Sequence, residues 1–159
     1  MSTPHRKKRR PNALLRLVFR LPVWIYRLRL GWLLGRRFLM ITHQGRRTGV
    51  IRRTVVEAVR YNRGTDEFVV VAGYGKTSDW YRNIQTRPAL QIDVGGRRFT
   101  PTQRFLNPEE MYEEFKDYER RHPRLARTLA RMIGLEYQGT EAQRRALATE
   151  LPMIALSPK

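Results

Sequence analysis

The chain has 159 residues, enough for one hydrophobic core, and its 32 Lys or Arg against 14 Asp or Glu give a formal net charge of +18. Cysteine is absent, which excludes disulfides, thiolate nucleophiles and cysteine metal sites; His5, His43 and His122 lack the paired spacing of zinc ligands, so no metal is expected. Met1 to Val56 carries 15 basic residues and no acid, against 17 basic and 14 acidic residues from Glu57 onward, so the first third faces something anionic: a membrane leaflet, a nucleic acid or a polyanionic ligand.

Residues 1–11, with the run His5-Arg6-Lys7-Lys8-Arg9-Arg10, have almost nothing to bury and read as a disordered basic tail. A single domain is expected over residues 12–159, opening with an amphipathic helical segment over residues 12–36. Wound at about 100° per residue, Leu14, Val18, Leu21, Ile25, Leu28 and Trp32 share one face, and Arg16, Arg20 and Arg27 the opposite one. The longest charge-free run there, Leu21 to Tyr26, falls far short of the ~20 apolar residues that span a bilayer. The arginines also argue against a secretory signal, so the expected location is the cytoplasm. The apolar face has two fates: packing on the protein's own core or a partner subunit, or lying on an anionic membrane surface at its inner face through residues 1–36.

From Arg37 to Arg104 the pattern is mostly β. Strands are expected at Arg37 to His43, Arg52 to Tyr61, Glu67 to Ala72, Ala89 to Val94 and Arg97 to Arg104. The links are short: Asn62 to Asp66 reads as a hairpin loop and Gly95-Gly96 as a two-residue turn with positive φ at both positions. Antiparallel pairing follows, with one face buried and the sheet closed into a small barrel that removes its edges.

Between the first two strands lies Thr42-His43-Gln44-Gly45-Arg46-Arg47-Thr48-Gly49-Val50-Ile51-Arg52-Arg53. Its glycines allow a turn with amides aimed at one spot, the arginines add charge-assisted bonds and Thr48 a hydroxyl, so the segment reads as an anion cradle or, equally, as a solvated basic hairpin. It is neither a Walker A loop nor a dinucleotide fingerprint. After the third strand, Ala72 to Ile84 has small residues that admit a flat ligand to the backbone. Thr77 or Ser78 can then cap a short helix that must end before Pro88 and buries Trp80 and Ile84.

The last third reads as helical, then extended. Asn107-Pro108-Glu109-Glu110 starts a helix burying Met111, Phe115 and Tyr118. A second, roughly Arg124 to Ile133, buries Leu125, Leu129 and Met132 and stops at Gly134. A third starts at Thr140 with Gln143 completing a capping box, and Met153 to Leu156 forms a last strand. Arg120, Arg121, Arg124, Arg127 and Arg131 read as a solvated face.

Taken in order, several pieces resemble the deazaflavin-dependent nitroreductase and quinone reductase family. They are Gly45-Arg46-Arg47-Thr48-Gly49 with Arg52, Val69-Val70-Val71-Ala72-Gly73, Asp79-Trp80-Tyr81-Arg82-Asn83-Ile84 before Pro88, Gln91 to Phe99, and Leu151-Pro152-Met153-Ile154. The resemblance implies an α+β fold, a split antiparallel β-barrel of the flavin mononucleotide-binding kind, with the N-terminal amphipathic helix and C-terminal helices added. It further implies an oxidoreductase that binds coenzyme F420, an 8-hydroxy-5-deazaflavin, and passes a hydride to a hydrophobic acceptor: a quinone, a nitroaromatic or an unsaturated lipid-like compound. Gly45, Arg46, Arg47, Thr48, Gly49 and Arg52 would hold the phosphate. Val71, Ala72, Gly73, Tyr74, Gly75 and Lys76 would lie against the ring, with Trp80, Tyr81 and Asn83 supporting that wall. Because the coenzyme supplies the hydride, no catalytic residue is named; Tyr74, Tyr118 and Tyr137 are candidates for delivering a proton. Where many relatives have a Ser-Lys-Gly-Gly segment, this chain has Gly73 to Asp79, so the acceptor is not assigned. Flavin mononucleotide is a less favoured cofactor on the same fold. A basic nucleic-acid- or membrane-binding barrel without redox activity is the alternative, and the lack of a recognition helix or ribonucleoprotein motif makes nucleic acid the weaker partner.

Overall fold

A computed structural model of the chain describes residues 35–159. The basic tail and the amphipathic segment up to Leu34 lie outside the described residues. Seven strands and four helices follow: β1 Phe38–Gln44, β2 Ile51–Asn62, β3 Glu67–Val71, α1 Asp79–Thr86, β4 Gln91–Val94, β5 Arg97–Phe99, β6 Pro101–Phe105, α2 Pro108–Arg121, α3 Pro123–Met132, α4 Glu141–Glu150 and β7 Met153–Pro158. All pairings are antiparallel, in the order β5-β4-β1-β2-β3-β7-β6.

The run expected as one strand from Arg97 to Arg104 is two. β5 pairs with β4 and β6 with β7, so the two ends of the sheet are consecutive in the chain and joined through Thr100 alone. Pro101 has no N–H to continue the first ladder, which frees the chain to change partners. The barrel is thereby nearly closed: its two edges meet at a covalent link. Gln103 helps to close that end, accepting from the Ala89 amide and donating to the Ile84 carbonyl, both at 2.9 Å.

A second difference concerns the cores. One buried face is expected, yet β3 and β7 bury both. Phe68, Val70, Ile154 and Leu156 join the cluster inside the barrel with Leu39, Ile41, Trp80, Ile84 and Ile92. The alternate residues Val69, Val71, Met153 and Ala155 face a helical layer with Phe115, Tyr118, Ala126 and Leu147. Strands covered on both sides read as continuous apolar runs, which is how Val69-Val70-Val71 and Met153-Ile154-Ala155-Leu156 look in the sequence.

Local signals hold at several element ends. Gly95 and Gly96 have φ of 54° and 80°, as a two-residue hairpin turn matched to strand twist requires. Asn107 accepts from the Glu109 and Glu110 amides while Glu110 reaches back to the Asn107 amide, and Thr140 with Gln143 repeats this box on α4. Ser78 stands at the start of α1 but makes no capping bond; its hydroxyl is buried without a partner. On α3 the fully buried residues are Ala126 and Ala130, with Leu125 and Leu129 half-buried.

Candidate functional site

A cleft of about 200 Å³ opens where the β1–β2 connection meets α1, lined by Gly45, Arg46, Arg47, Thr48, Arg52, Asp79 and Asn83. Six of the expected phosphate ligands and wall residues therefore converge from three segments 38 positions apart in sequence, Gly45 to Asn83. Gly49 shapes the same turn with a φ of 69°.

The glycine amides are used differently from the expectation. Gly45 N–H donates to the Val50 carbonyl and Gly49 N–H to the Gly45 carbonyl, both at 2.8 Å, and Gln44 Nε2 donates to the Gly49 carbonyl at 2.9 Å. These bonds close the turn and leave fewer amides for a ligand. Among the described residues, the backbone amides of Arg47 and Thr48 have no acceptor, and neither Arg47 nor Arg52 has a carboxylate within ion-pair distance. The cradle is thus built mainly from side chains. Gly45 serves it sterically: a Cβ there would lie 2.9 Å from Thr48 Oγ1 and 3.4 Å from Arg52 Nε.

Arg46 is fixed by α1. Its amide donates to Asn83 Oδ1 at 3.1 Å, and its guanidinium donates at 3.0 Å to both Asn83 Oδ1 and Asp79 Oδ1. Asp79 and Asn83 are four residues apart on one helical face, while Trp80 and Ile84, also four apart, anchor α1 in the barrel core. Behind Asn83 stands a residue of the arginine-glycine segment that has no evident task of its own in the sequence. His43, 2% exposed, places Nδ1 3.1 Å from Asn83 Nδ2 and Nε2 3.3 Å from Thr54 Oγ1. Burial lowers its pKa from the ordinary histidine value; the Arg52 charge adds to this and Asp79 opposes it. The clue in the sequence was a histidine at a position of β1 where alternation demands an inward side chain.

The other expected residues have separate places. Val71 and Ala72 are buried, one in each core. Gly73 faces α3, where a Cβ would lie 3.5 Å from Leu129, and Gly75, at φ 70°, is pressed to within 2.8 Å (for its notional Cβ) of the Glu150 carbonyl. These glycines permit tight packing beneath the segment. Tyr74 is exposed and Lys76 faces Glu150 at 4.0 Å. Arg82 Nε donates to the Lys76 carbonyl at 3.1 Å and so ties the segment to α1. Trp80 and Tyr81 are buried, edge to face at 6.2 Å, and do not line the cleft.

Of the three tyrosines, the structure sets two apart from the cleft. Tyr118 is 1% exposed in the helical-layer core, where burial and then the Glu57 carboxylate push its hydroxyl well above the usual range. Tyr137 donates to Glu119 Oε1 at 2.6 Å, and burial with that bond pushes its pKa up to about 12. Both rings pack in the helical-layer core, Tyr118 beside Glu57 of β2 and Tyr137 at Glu119, the α2 residue that pairs with Arg144 of α4. Tyr74 alone lies on the segment beside α1, its hydroxyl raised by partial burial. Asp79 is the one carboxylate lining the cleft. Among the described residues, no cluster of three metal-ligating side chains occurs and no helix is long and apolar enough to cross a membrane.

The model of the F420H(2)-dependent quinone reductase family matches residues 18–130. Two Mycobacterium tuberculosis proteins described as F420H(2)-dependent quinone reductases, from strains CDC 1551 and H37Rv, are each 29% identical over 75 residues, which are 45% of this chain and 48% of theirs. The match thus spans about half the length of these curated relatives. A solved F420-H2 dependent reductase (FDR-A) superposes with a TM-score of 0.52 at 20% identity, covering 77% of this chain and 96% of its own. A chain described as a domain-swapped dimer does so with a TM-score of 0.52 at 18% identity, covering 86% and 99%. These two structures share the split-barrel fold, and the family match over most of the sequence places the chain in the F420H(2)-dependent quinone reductase family.

Proposed function

We propose that the protein is an F420-dependent oxidoreductase that binds the reduced coenzyme in the cleft between the β1–β2 turn and α1 and reduces a hydrophobic acceptor of the quinone kind. The observation that carries this reading is the donor set of the cleft: Arg47 and Arg52 without carboxylate partners, Thr48 Oγ1 and a pre-fixed Arg46 around a glycine that leaves no room for a Cβ. That set fits a phosphodiester, with charge-assisted bonds roughly twice as strong as neutral ones. When bound, the coenzyme supplies the hydride.

The chain's own residues bind and orient. Arg47, Arg52 and Thr48 would hold the phosphate, and Asn83 with Asp79 keeps Arg46 turned to the cleft. The segment from Gly73 to Lys76, held by Arg82, would form the wall for the ring, and Trp80 and Tyr81 stiffen it from behind. Tyr74, on the segment beside α1, would be the tyrosine to hand a proton to a reduced acceptor. Nitroaromatics and unsaturated lipid-like compounds are further acceptors of the same apolar class.

The test is a fluorescence titration of F420 into the protein, beside flavin mononucleotide and repeated at high salt. Saturable binding selective for the deazaflavin and persisting in salt is expected; equal, salt-sensitive binding of both would reject the reading.

A second reading concerns where the acceptor comes from. Val50 and Ile51 are 55% and 52% exposed immediately before Arg52 and Arg53, an apolar and basic rim suited to an anionic membrane surface from which a lipid-soluble quinone could be taken. Co-sedimentation with vesicles containing anionic lipid, lost in Val50→Ser/Ile51→Ser, checks it.

A further inference from the structure

We propose that His43 is a positioning residue for the anion cradle: its neutral imidazole accepts a hydrogen bond from Asn83, locks that amide in one orientation and thereby holds Arg46 toward the cleft, so that protonating His43 releases Arg46. The inference deepens the proposed function and rests on it for the identity of the ligand, but its geometry stands on the chain alone.

Asn83 meets two donors on one side, the Arg46 amide at 3.1 Å and the Arg46 guanidinium at 3.0 Å. Both require the amide oxygen there. The amide nitrogen is then turned to His43 Nδ1 at 3.1 Å, which must accept. The ring proton is left on Nε2, where Thr54 Oγ1 accepts it at 3.3 Å. Every partner in the chain Thr54, His43, Asn83, Arg46, Asp79 is consistent only with this one tautomer. An imidazolium would set an Nδ1–H against an N–H of Asn83; flipping Asn83 to relieve it would turn two donors of Arg46 onto an NH2 group. In a site this buried the conflict is costly, because a polar group without its partner cannot turn to water.

The surroundings favour the neutral ring. From β2, Arg52 stands opposite His43 in register, and from the turn comes Arg46. Asp79 on α1 is the one opposing charge and is committed to Arg46 at 3.0 Å. From β4, Gln91 is neutral and Asp93 is paired with Arg98 at 2.7 Å. The lowered pKa agrees with this balance. The neutral state holds at and above neutral pH, and the cradle loosens only on the acid side of the ordinary histidine range.

The experiment has a ligand-free part and a ligand part. Nitrogen NMR of the histidine rings in the full-length protein at about pH 8 should show His43 as the Nε2–H tautomer, and lowering the pH toward about 5 should move the Asn83 side-chain amide and the Arg46 amide together with His43. An Nδ1–H tautomer, or an Arg46 amide indifferent to His43 titration, would overturn the proposal. In fluorescence titrations of F420, wild-type affinity should fall about tenfold over that range, as expected for loss of one buried, charge-assisted bond. His43→Leu should bind weakly at both ends. His43→Asn, which retains an acceptor but cannot titrate, should bind more tightly than His43→Leu and show no fall toward acid; any titration of the coenzyme is common to all three proteins and cancels in the ratio. A His43→Asn profile that falls in parallel with wild type would also overturn the proposal. Failure of F420 to bind at any pH would reject the proposed function, and the ligand-free titration would still decide the role of His43.

Discussion

The two sides of the sheet use the same residue in opposite ways. In the helical layer, arginines are matched: Arg60 to Glu114 at 2.7 Å and Glu67 at 3.1 Å, Arg144 to Glu119 at 2.7 Å, Arg145 to Glu109 at 3.1 Å, with Arg145 also stacked 4.1 Å over Tyr112. At the β1–β2 turn, Arg47, Arg52 and Arg53 have no carboxylate at all among the described residues, and Arg46 shares only the exposed Asp79. An arginine that carries its own counter-charge braces the fold. One left without a partner at a built turn leaves a charge for a ligand to satisfy. The arginines of α3, exposed and also without carboxylate partners among the described residues, lack the second ingredient: they stand along a regular helix and not at such a turn.

That contrast is tested most severely in the helical core. Phe115 is fully buried, and Phe115→Ala should lower stability by about 3–5 kcal/mol in chemical denaturation while the folded fraction still binds F420 as before. Next is Gly75→Ala, which forces a Cβ against the Glu150 carbonyl at 2.8 Å with φ at 70°; it should cost about 2–3 kcal/mol and, if the segment forms the proposed wall for the ring, weaken binding too. Arg144→Ala strips Glu119 of its ion-pair partner, leaving it only the Tyr137 hydroxyl, and should cost about 2 kcal/mol without altering affinity. The mirror image is Arg47→Ala or Arg52→Ala: F420 affinity should fall roughly 3- to 10-fold for each, with the melting temperature unchanged within error. If Arg47→Ala lowered stability and left affinity intact, the division between bracing and binding arginines would be lost. Gly45→Ala sharpens the point, since it should weaken binding by displacing Thr48 and Arg52 with little strain of its own.

The smallest effect is in acid. The backbone amide of Asn107 and then Arg104 hold the Glu110 carboxyl below its usual range, Arg120 and Arg121 do so for Asp117, and Arg97 for Asp66. Folded values below unfolded ones mean stabilisation that is complete above the unfolded carboxylate range and lost as pH falls through the folded values. His43 acts in the same direction higher up: with its folded value lowered, the unfolded chain takes the proton first, so stability declines as pH drops below the ordinary histidine value. Thermal melts across pH should show a shallow fall near His43's range and a steeper one in the carboxylate range. The exposed carboxylates are screened, so both should be modest.

Much of this protein is written in short-range pattern. The boxes at Asn107 and Thr140, the Gly95-Gly96 turn and the apolar run of β1 are each decided by residues within four positions of one another, where backbone geometry and local hydrogen bonds choose the outcome. The arginine-glycine segment suggested an anion cradle for the same reason, since its residues are contiguous. Tertiary structure decided what contiguity cannot reach. Arg97 to Arg104 reads as one strand, and only the competition of β4 and β7 for partners divides it at Pro101. The turn's glycine amides are spent within it because Val50 folds back onto Gly45. The placing of Arg46 depends on Asn83, 37 residues away, and Asn83 in turn bonds His43, 40 residues before it, so a buried histidine without an obvious task in the sequence joins the bonds that fix Arg46 once α1 is docked against β1.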